Sequence, residues 1–300
     1  MLQAKERAQL IAAARLYYEN NLTQAEVAQH LGVSRPLVSK LLTKAREVGI
    51  VHIEIRAGED GEQNLLERLQ LRYKLNGGLV LPAGRVPWEQ VARYLAAETS
   101  ADKYLGVGWG YTLGEALSSV EKGRLHGQTG LVYPLIGKAH FPNKGYHPDE
   151  LVRLWAAASG RDACLMGCTA FPATEEERDE LEKGAGFRQL QGLWMQSDAA
   201  IVGISDYPSV PDEATATRFG DALRKQRAVG SFLSYYYNER GEFISGNNDF
   251  CLHIPLALLR RCRKLVGVGV NAGTKAVAGA LATGLFTHLV LREQQAKELL

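Results

Sequence analysis

Long apolar runs are missing from this 300-residue chain, and no stretch approaches the roughly 18 residues that a membrane-spanning helix needs. A transmembrane anchor is therefore not expected. A secretory leader is lacking too, because Lys5, Glu6, Arg7 and Arg15 interrupt the N-terminal stretch; the expected location is the cytoplasm. Cysteine is scarce. Cys164, Cys168, Cys251 and Cys262 are too few for a disulfide framework, and the C-x3-C pair has no second Cys or His pair to complete a zinc site. They read as reduced, mostly buried thiols, and neither metal nor cofactor is expected. There is no low-complexity tract and no repeat with the period of a solenoid.

A strong charge of either sign is also absent, since the formal net charge is only +2. Its distribution says more than its size. Residues 1–56 hold eight Lys and Arg against five Asp and Glu, which makes that segment +3 and the remainder −1. Affinity for a polyanion belongs at the N-terminus. With 46% hydrophobic and 23% charged residues, the chain has enough apolar material for one large core plus a small appended domain.

Along that N-terminal segment, Leu10, Ile11, Ala14 and Tyr17 or Tyr18 recur at helical spacing, so a first helix is predicted over 5–19, stopping at Asn20-Asn21. Thr23 and Glu26 have the spacing of a capping box, which starts a second helix at Gln24 and carries it to Leu31. Gly32 suits a left-handed turn, Ser34 is the expected cap of a third helix with Pro36 in its first turn, and that helix should reach Val48. Ile50 to Arg56 alternates apolar and polar residues like a half-exposed strand or wing. The small, acidic stretch Ala57 to Glu62 is the best linker, giving domains at 1–57 and 58–300.

Residues 24–43 meet several helix-turn-helix constraints in register. Ala28 is small where two helices cross, Gly32 turns the chain, and Val27, Leu31, Val33, Val38 and Leu41 plug the core. The opposite face of the third helix then offers Ser34, Arg35, Pro36, Ser39, Lys40, Thr43 and Lys44. Such a face can enter the major groove of double-stranded DNA, with Arg35 and Ser39 reading base edges while Lys40, Lys44 and the helix N-terminus hold phosphates. The alternative is a protein-interaction module whose basic face is merely solvated. One module makes few contacts, so self-association into a dimer or larger assembly is implied.

The larger domain alternates apolar runs, at 79–81, 103–108, 131–136, 163–167, 199–204, 264–270 and 288–291, with helical patterns. That is the signature of an α/β fold with a parallel sheet. Three of its loops are candidate ligand contacts. Gly108-Trp109-Gly110-Tyr111-Thr112 joins a strand to a helix and suits an anion at the helix N-terminus; the alternative is a plain tight turn. Asn271 to Lys275 is a second such loop, in which Lys275 sits where a helix dipole disfavours a cation unless an anion intervenes. Gly137-Lys138-Ala139-His140 is the third. In open α/β sheets such loops gather in one crevice beyond the strand ends.

The chain resembles the SorC family of sugar-responsive bacterial transcription regulators over essentially its whole length. The residues that carry the resemblance are Tyr17-Tyr18-Glu19, Leu22-Thr23-Gln24, Leu31-Gly32-Val33-Ser34, Val38 to Leu42, Gly49-Ile50-Val51, Gly108-Trp109-Gly110, Pro134 to Gly137, Val202-Gly203-Ile204, Lys275 and Ala296 to Leu300. It implies a winged-helix-type DNA-binding domain and an effector domain of the phosphosugar isomerase-like type. It also implies oligomers, commonly tetramers, whose operator affinity a sugar or sugar phosphate alters. By position, Gly108 to Thr112 resembles the phosphate-cradling loop and Lys275 the ligand-pairing lysine. Departures are Gly230-Ser231 for a common Gly-Asp, Gly137-Lys138 for Gly-Gly, and Leu291-Arg292-Glu293 for Thr-Asp-Glu. Losing a carboxylate at Ser231 and gaining a cation at Lys138 suggests a more anionic or differently oriented effector.

Two competing readings remain at this level. An isomerase-like enzyme would need a carboxylate base, for which Asp102, Glu115 and Asp198 are available, but none lies in a catalytic motif. A DNA-binding protein with a purely structural oligomerisation domain would respond to no sugar.

Overall fold

The computed structural model describes residues 4–20, 22–51, 59–121, 124–125, 127–139, 146–208 and 213–300. The chain divides into two compact units, residues 1–59 and 60–300. Each is considered by itself.

The first unit is a helical bundle. Helix α1 (Ala4–Ala14) runs into a wider π-turn over Arg15–Glu19, so the expected first helix changes its winding midway. Helix α2 (Gln24–Leu31) starts at the expected capping box: the Glu26 amide donates to Thr23 Oγ1 at 3.3 Å while the Thr23 amide donates to Glu26 Oε2 at 2.7 Å. It ends at Gly32, where φ is +63°, a conformation that a β-carbon disfavours. Helix α3 (Arg35–Glu47) follows. Val27, Ala28, Val38 and Leu42 are buried together with Ala13, and Leu10, Ala14 and Ala45 close a second small cluster. The expected strand at 50–56 falls mainly on residues outside those described.

The linker reading is corrected in part, because helix α4 (Glu59–Tyr73) already includes Glu59 to Glu62. Composition misled here. Acidic, small residues also suit the first turn of a helix, where they complement the dipole, and Leu65 and Leu69 one and two turns on anchor the helix in the core.

The larger unit continues through strand β1 (Gly77–Leu81), α5 (Trp88–Glu98), β2 (Tyr104–Val107), α6 (Tyr111–Ser118), β3 (Leu131–Pro134), α7 (Pro148–Ser159) and the two-residue β4 (Asp162–Ala163). Then come α8 (Glu175–Lys183), α9 (Ala185–Met195), β5 (Ala199–Gly203), β6 (Ser205–Asp206), α10 (Glu213–Phe219), α11 (Ala222–Lys225), β7 (Ala228–Phe232), β8 (Tyr235–Asn238) and β9 (Phe243–Ile244). The chain closes with α12 (Leu256–Leu259), β10 (Lys264–Val268), α13 (Thr274–Ala282), β11 (His288–Arg292) and α14 (Glu293–Leu299).

Seven strands form a parallel sheet in the order β1-β11-β10-β5-β2-β3-β4. Six of them fall on apolar runs of the sequence, whereas the short, exposed β4 only touches the start of the run predicted at 163–167. Alternation along the strands splits their side chains between two layers. Leu105, Val107, Ile201, Val266, Val268 and Val290 pack with α5, α6 and α7, around the fully buried Trp155. Tyr133, Ala200, Val202, Leu265, Leu289 and Leu291 face the other way, toward Leu65, Leu69, Trp194, Val277 and Ala296. Helices on both faces are what a parallel sheet requires.

The second sheet, β6-β7-β8-β9, is antiparallel and packs its Phe232 and Tyr237 into the second layer. Nothing in the sequence marks it. Its β7–β8 hairpin turns through Leu233 and Ser234, whose φ values are +48° and +66°. Tight hairpin turns usually announce themselves by Asn or Gly at such positions.

From β2 the order steps outward to β3 and β4, whereas from β5 it steps the opposite way to β10 and β11. The direction of winding therefore reverses between β2 and β5. The carboxyl ends of those two strands are the place where open α/β sheets usually hold a ligand in a crevice.

Candidate nucleic-acid interface and effector crevice

On α3, Ser34, Arg35, Pro36, Ser39, Lys40, Thr43 and Lys44 are all exposed, while Val38, Leu42 and Ala45 are buried. The sequence-derived face thus exists as one surface. Ser34 stands at the cap position, with φ −74° and ψ 147°, but its hydroxyl makes no capping bond. The cause is local. Pro36 has no amide to offer, and the Leu37 amide donates to the Ser34 carbonyl at 3.0 Å. The Ser34 hydroxyl is left at the surface beside Arg35, in a first turn that contains no acidic residue. A cation there opposes the helix dipole, which a backbone phosphate would relieve. Leu37, 43% exposed on the same face, was not singled out by the sequence pattern; an apolar side chain in a groove can meet a thymine methyl group. Tyr17 packs against the bundle core and Tyr18 is exposed.

In the larger unit, Gly108 and Gly110 do not offer their amides to a ligand. The Gly108 amide donates to the Ile201 carbonyl at 2.8 Å and that of Gly110 to the Tyr146 carbonyl at 3.1 Å. Their glycine requirement is spatial and conformational. A β-carbon on Gly108 would lie 3.1 Å from Leu233 Cδ2, and Gly110 has φ +105°. The donors that remain are in the first turn of α6, whose cap residue Gly110 makes no side-chain bond; the amides of Tyr111, Thr112 and Leu113 precede the first intrahelical acceptor. Thr112 is buried and accepts from Asn271 Nδ2 at 3.4 Å, and a β-carbon on Gly203 would lie 3.9 Å from Thr112 Cβ. The ends of β2, β5 and β10 therefore meet around Thr112. Trp109, half-buried, packs against Phe171 at 5.8 Å between ring centroids, and Tyr111, 52% exposed, meets Tyr146 edge-on at 5.3 Å.

The other sequence-derived contacts are placed differently. Lys275 is 84% exposed and its Nζ lies 3.5 Å from Glu239. The Gly273 amide, at the cap of α13, donates to Asp206 at 2.7 Å. The anion that a cation in this first turn calls for is thus supplied by the protein's own carboxylates. Lys138 Nζ lies 3.3 Å from the buried Asp149, so the charge that distinguishes it from glycine is matched internally and does not by itself favour a more anionic ligand. Gly137 donates its amide to the Leu252 carbonyl at 3.0 Å, and a β-carbon there would fall 2.5 Å from the Thr169 carbonyl oxygen. Ser231 is buried in β7 opposite Ser205 and Tyr236. His140 lies outside the described residues.

Sequence reasoning missed a polar group around the β7–β8 hairpin and Phe171, the ring that packs on Trp109. Arg218, only 5% exposed, donates to Asp249 Oδ1 at 2.9 and 2.6 Å and to Ser234 Oγ at 2.8 Å, and lies 4.4 Å from the Phe171 ring centroid. His253 donates from Nδ1 to the Leu233 carbonyl at 2.8 Å and stacks on Tyr235 at 3.9 Å. These residues are far apart in sequence and carry no shared motif, so no spacing could have revealed them.

Of the three carboxylates available to an enzyme reading, Glu115 lies half-buried on α6 itself, and the other two sit elsewhere. Asp102 is 1% exposed and held by Arg263 at 2.9 Å and Lys264 at 3.3 Å. Asp198 accepts from the Lys103 and Tyr104 amides at 3.1 and 3.2 Å. Both precede their strands, at the end of the sheet opposite the crevice. Among the described residues no group of three His, Cys, Asp or Glu side chains is arranged to hold a metal, and no described helix is long and apolar enough to cross a membrane.

Comparison with known proteins agrees with this architecture. The family model described as "Putative sugar-binding domain" matches residues 85–300, and that of sigma-70 region 4 matches residues 12–48. The chain is 25% identical over 308 residues to the sorbitol operon regulator of Klebsiella pneumoniae, covering 97% of this chain and 96% of that one. It is 25% identical to the deoxyribonucleoside regulator of Bacillus subtilis (strain 168), covering 97% and 96%. To the transcriptional regulator LsrR of Enterobacter sp. (strain 638) it is 28% identical, covering 95% and 90%. The fold superimposes on the crystal structure of the full-length sorbitol operon regulator SorC from Klebsiella pneumoniae with a TM-score of 0.77 at 24% identity, covering 99% of both chains. The chain belongs to the SorC family of sugar-binding transcriptional regulators, whose members it matches from the DNA-reading helices to the final helix.

Proposed function

We propose that residues 1–57 bind an operator through α3, that residues 58–300 bind a sugar or sugar-phosphate effector and self-associate, and that effector occupancy sets operator affinity. The observation that carries the effector half is the reversal of strand order between β2 and β5, with the uncapped first turn of α6 directly at that point. Helix N-termini favour anions, and Trp109 and Tyr111 add aromatic faces beside it. On the DNA side, Arg35 and Ser39 are assigned to bases and Lys40 and Lys44 to phosphates. Paired half-sites would be read by a dimer or tetramer.

We read the protein as acting by binding and not by turnover: of the three candidate bases, Asp102 and Asp198 are engaged in an ion pair and amide contacts at the far end of the sheet, which leaves Glu115 on α6 as the one to test by substitution. Thermal unfolding across hexoses, hexitols and pentoses, each free and as the terminal phosphate monoester, tests the crevice. A ligand at one hundred times its dissociation constant stabilises the fold by about 2.7 kcal/mol. Mobility shift of the fragment upstream of the neighbouring genes, with and without the stabilising compound, tests the coupling. If no compound raises the unfolding temperature, the larger unit is a structural oligomerisation domain instead.

A further inference from the structure

We propose that His253 is a specificity-determining residue of the effector crevice, presenting a bare Nε2 as acceptor to an effector hydroxyl. This rests on the sugar-binding reading above and adds an orientation to it: the anionic end lies at α6, the hydroxyl at His253.

His253 Nδ1 lies 2.8 Å from the Leu233 carbonyl oxygen, which can only accept, so Nδ1 carries the proton. A neutral ring then leaves Nε2 with a lone pair and no hydrogen. Burial holds the imidazole in that neutral form, its pKa lowered to about 4. The ring cannot easily swing away to protonate, because it stacks on Tyr235 at 3.9 Å with 20° between planes, and Tyr235 is itself fixed by donating to the Ile254 carbonyl at 2.8 Å.

Position supplies the rest. His253 bridges to Ile136, just past β3, and the side chain of its carbonyl partner Leu233 lies 3.1 Å from where a β-carbon on Gly108, just past β2, would sit. The imidazole therefore belongs to the same strand ends as the Gly108–Thr112 loop. It is half-buried, and Nε2 has no hydrogen-bond partner among the described residues. An acceptor of this kind suits a hydroxyl, which donates, and disfavours a phosphate dianion, which has no proton to give. A polar group fixed in a crevice discriminates strongly against ligands that leave it unpaired.

The test is titration of the compound that most stabilises the wild-type protein in the sugar panel, against wild type, His253→Gln and His253→Asn. The glutamine amide oxygen can stand in for Nε2, whereas asparagine retains the bond to Leu233 and withdraws the acceptor. Loss of one neutral hydrogen bond should make His253→Asn bind about three- to tenfold more weakly, and His253→Gln no more than about threefold more weakly. On wild type, one deoxy analogue should lose the same factor, and His253→Asn should not distinguish that analogue from the parent. If neither variant folds, a 15N spectrum of wild type decides, because hydrogen bonding shifts the unprotonated Nε2 resonance when ligand is added. Equal affinity for wild type and His253→Asn, or an unmoved Nε2 resonance, overturns the assignment while leaving the crevice reading intact. A panel that stabilises nothing overturns both.

Discussion

Asn271 Nδ2 donates to Thr112 Oγ1 at 3.4 Å, which ties the first turn of α6 to the loop after β10. Two strands that flank β5 on opposite sides are thereby joined above it. Replacing Thr112 by Val retains the shape and withdraws the acceptor. The expected result is a loss of about 1 kcal/mol in urea unfolding and a larger loss of sugar-induced stabilisation. A variant that responds to the effector like wild type would place the ligand elsewhere.

Arg218 and Asp249 form an ion pair against Ser234 and the Phe171 ring, with the guanidinium 5% exposed and the carboxylate 20% exposed. Removing one partner strands a buried charge. Asp249→Ala is expected to destabilise the protein by about 3 kcal/mol, whereas the apolar pair Arg218→Met with Asp249→Leu should recover much of that loss. Urea titrations of the single and double variants measure it; equal destabilisation of both would mean that packing, not charge, governs the site.

On α3, Arg35→Ala should relax sequence preference at one base position at a cost of about 1–3 kcal/mol on the preferred site. Lys44→Ala should weaken binding to every sequence and reduce the slope of log affinity against log salt by about 0.9. Competition binding with a randomised operator, repeated at several salt concentrations, separates the two. Uniform effects of both variants would refute the division between base and phosphate contacts.

Burial lowers the pKa of His253 to about 4 and also lowers that of His288. Each ring is harder to protonate in the native protein than in the unfolded chain, where histidine protonates below about pH 6.5. The unfolded state then binds more protons, so stability is complete above about pH 6.5 and declines as the pH falls toward 4. His253→Phe should flatten that decline in unfolding temperature measured from pH 7 to pH 4. An unchanged slope would show that the ring is not buried neutral.

The N-terminal unit was legible in the sequence because its determinants are local. The Thr23–Glu26 box and Gly32 are short-range devices that act within one turn. The parallel strands were legible as apolar runs for a related reason, since burial on both faces leaves no polar side to blur them. The antiparallel sheet was not, because Leu233 and Ser234 make its hairpin turn without Asn or Gly. The pairings of Lys138 with Asp149 and of Lys275 with Glu239 were also out of reach, being set by the folding of distant segments. A lysine at a strand end looks the same in sequence whether a ligand or a carboxylate neutralises it. The polar group of Arg218, Asp249 and His253 was hidden likewise, since only the folding of the β7–β8 hairpin against the segment before α12 brings it together.

The central claim is that occupancy of the crevice changes how α3 meets DNA. It is tested most directly by titrating the full-length protein onto its operator fragment at fixed salt, with and without a saturating concentration of the sugar that stabilises it. The expected result is a displaced binding curve for wild type, and no displacement for Thr112→Val despite unimpaired affinity for DNA alone. Superimposed wild-type curves, with and without a sugar known to be bound, would contradict the account.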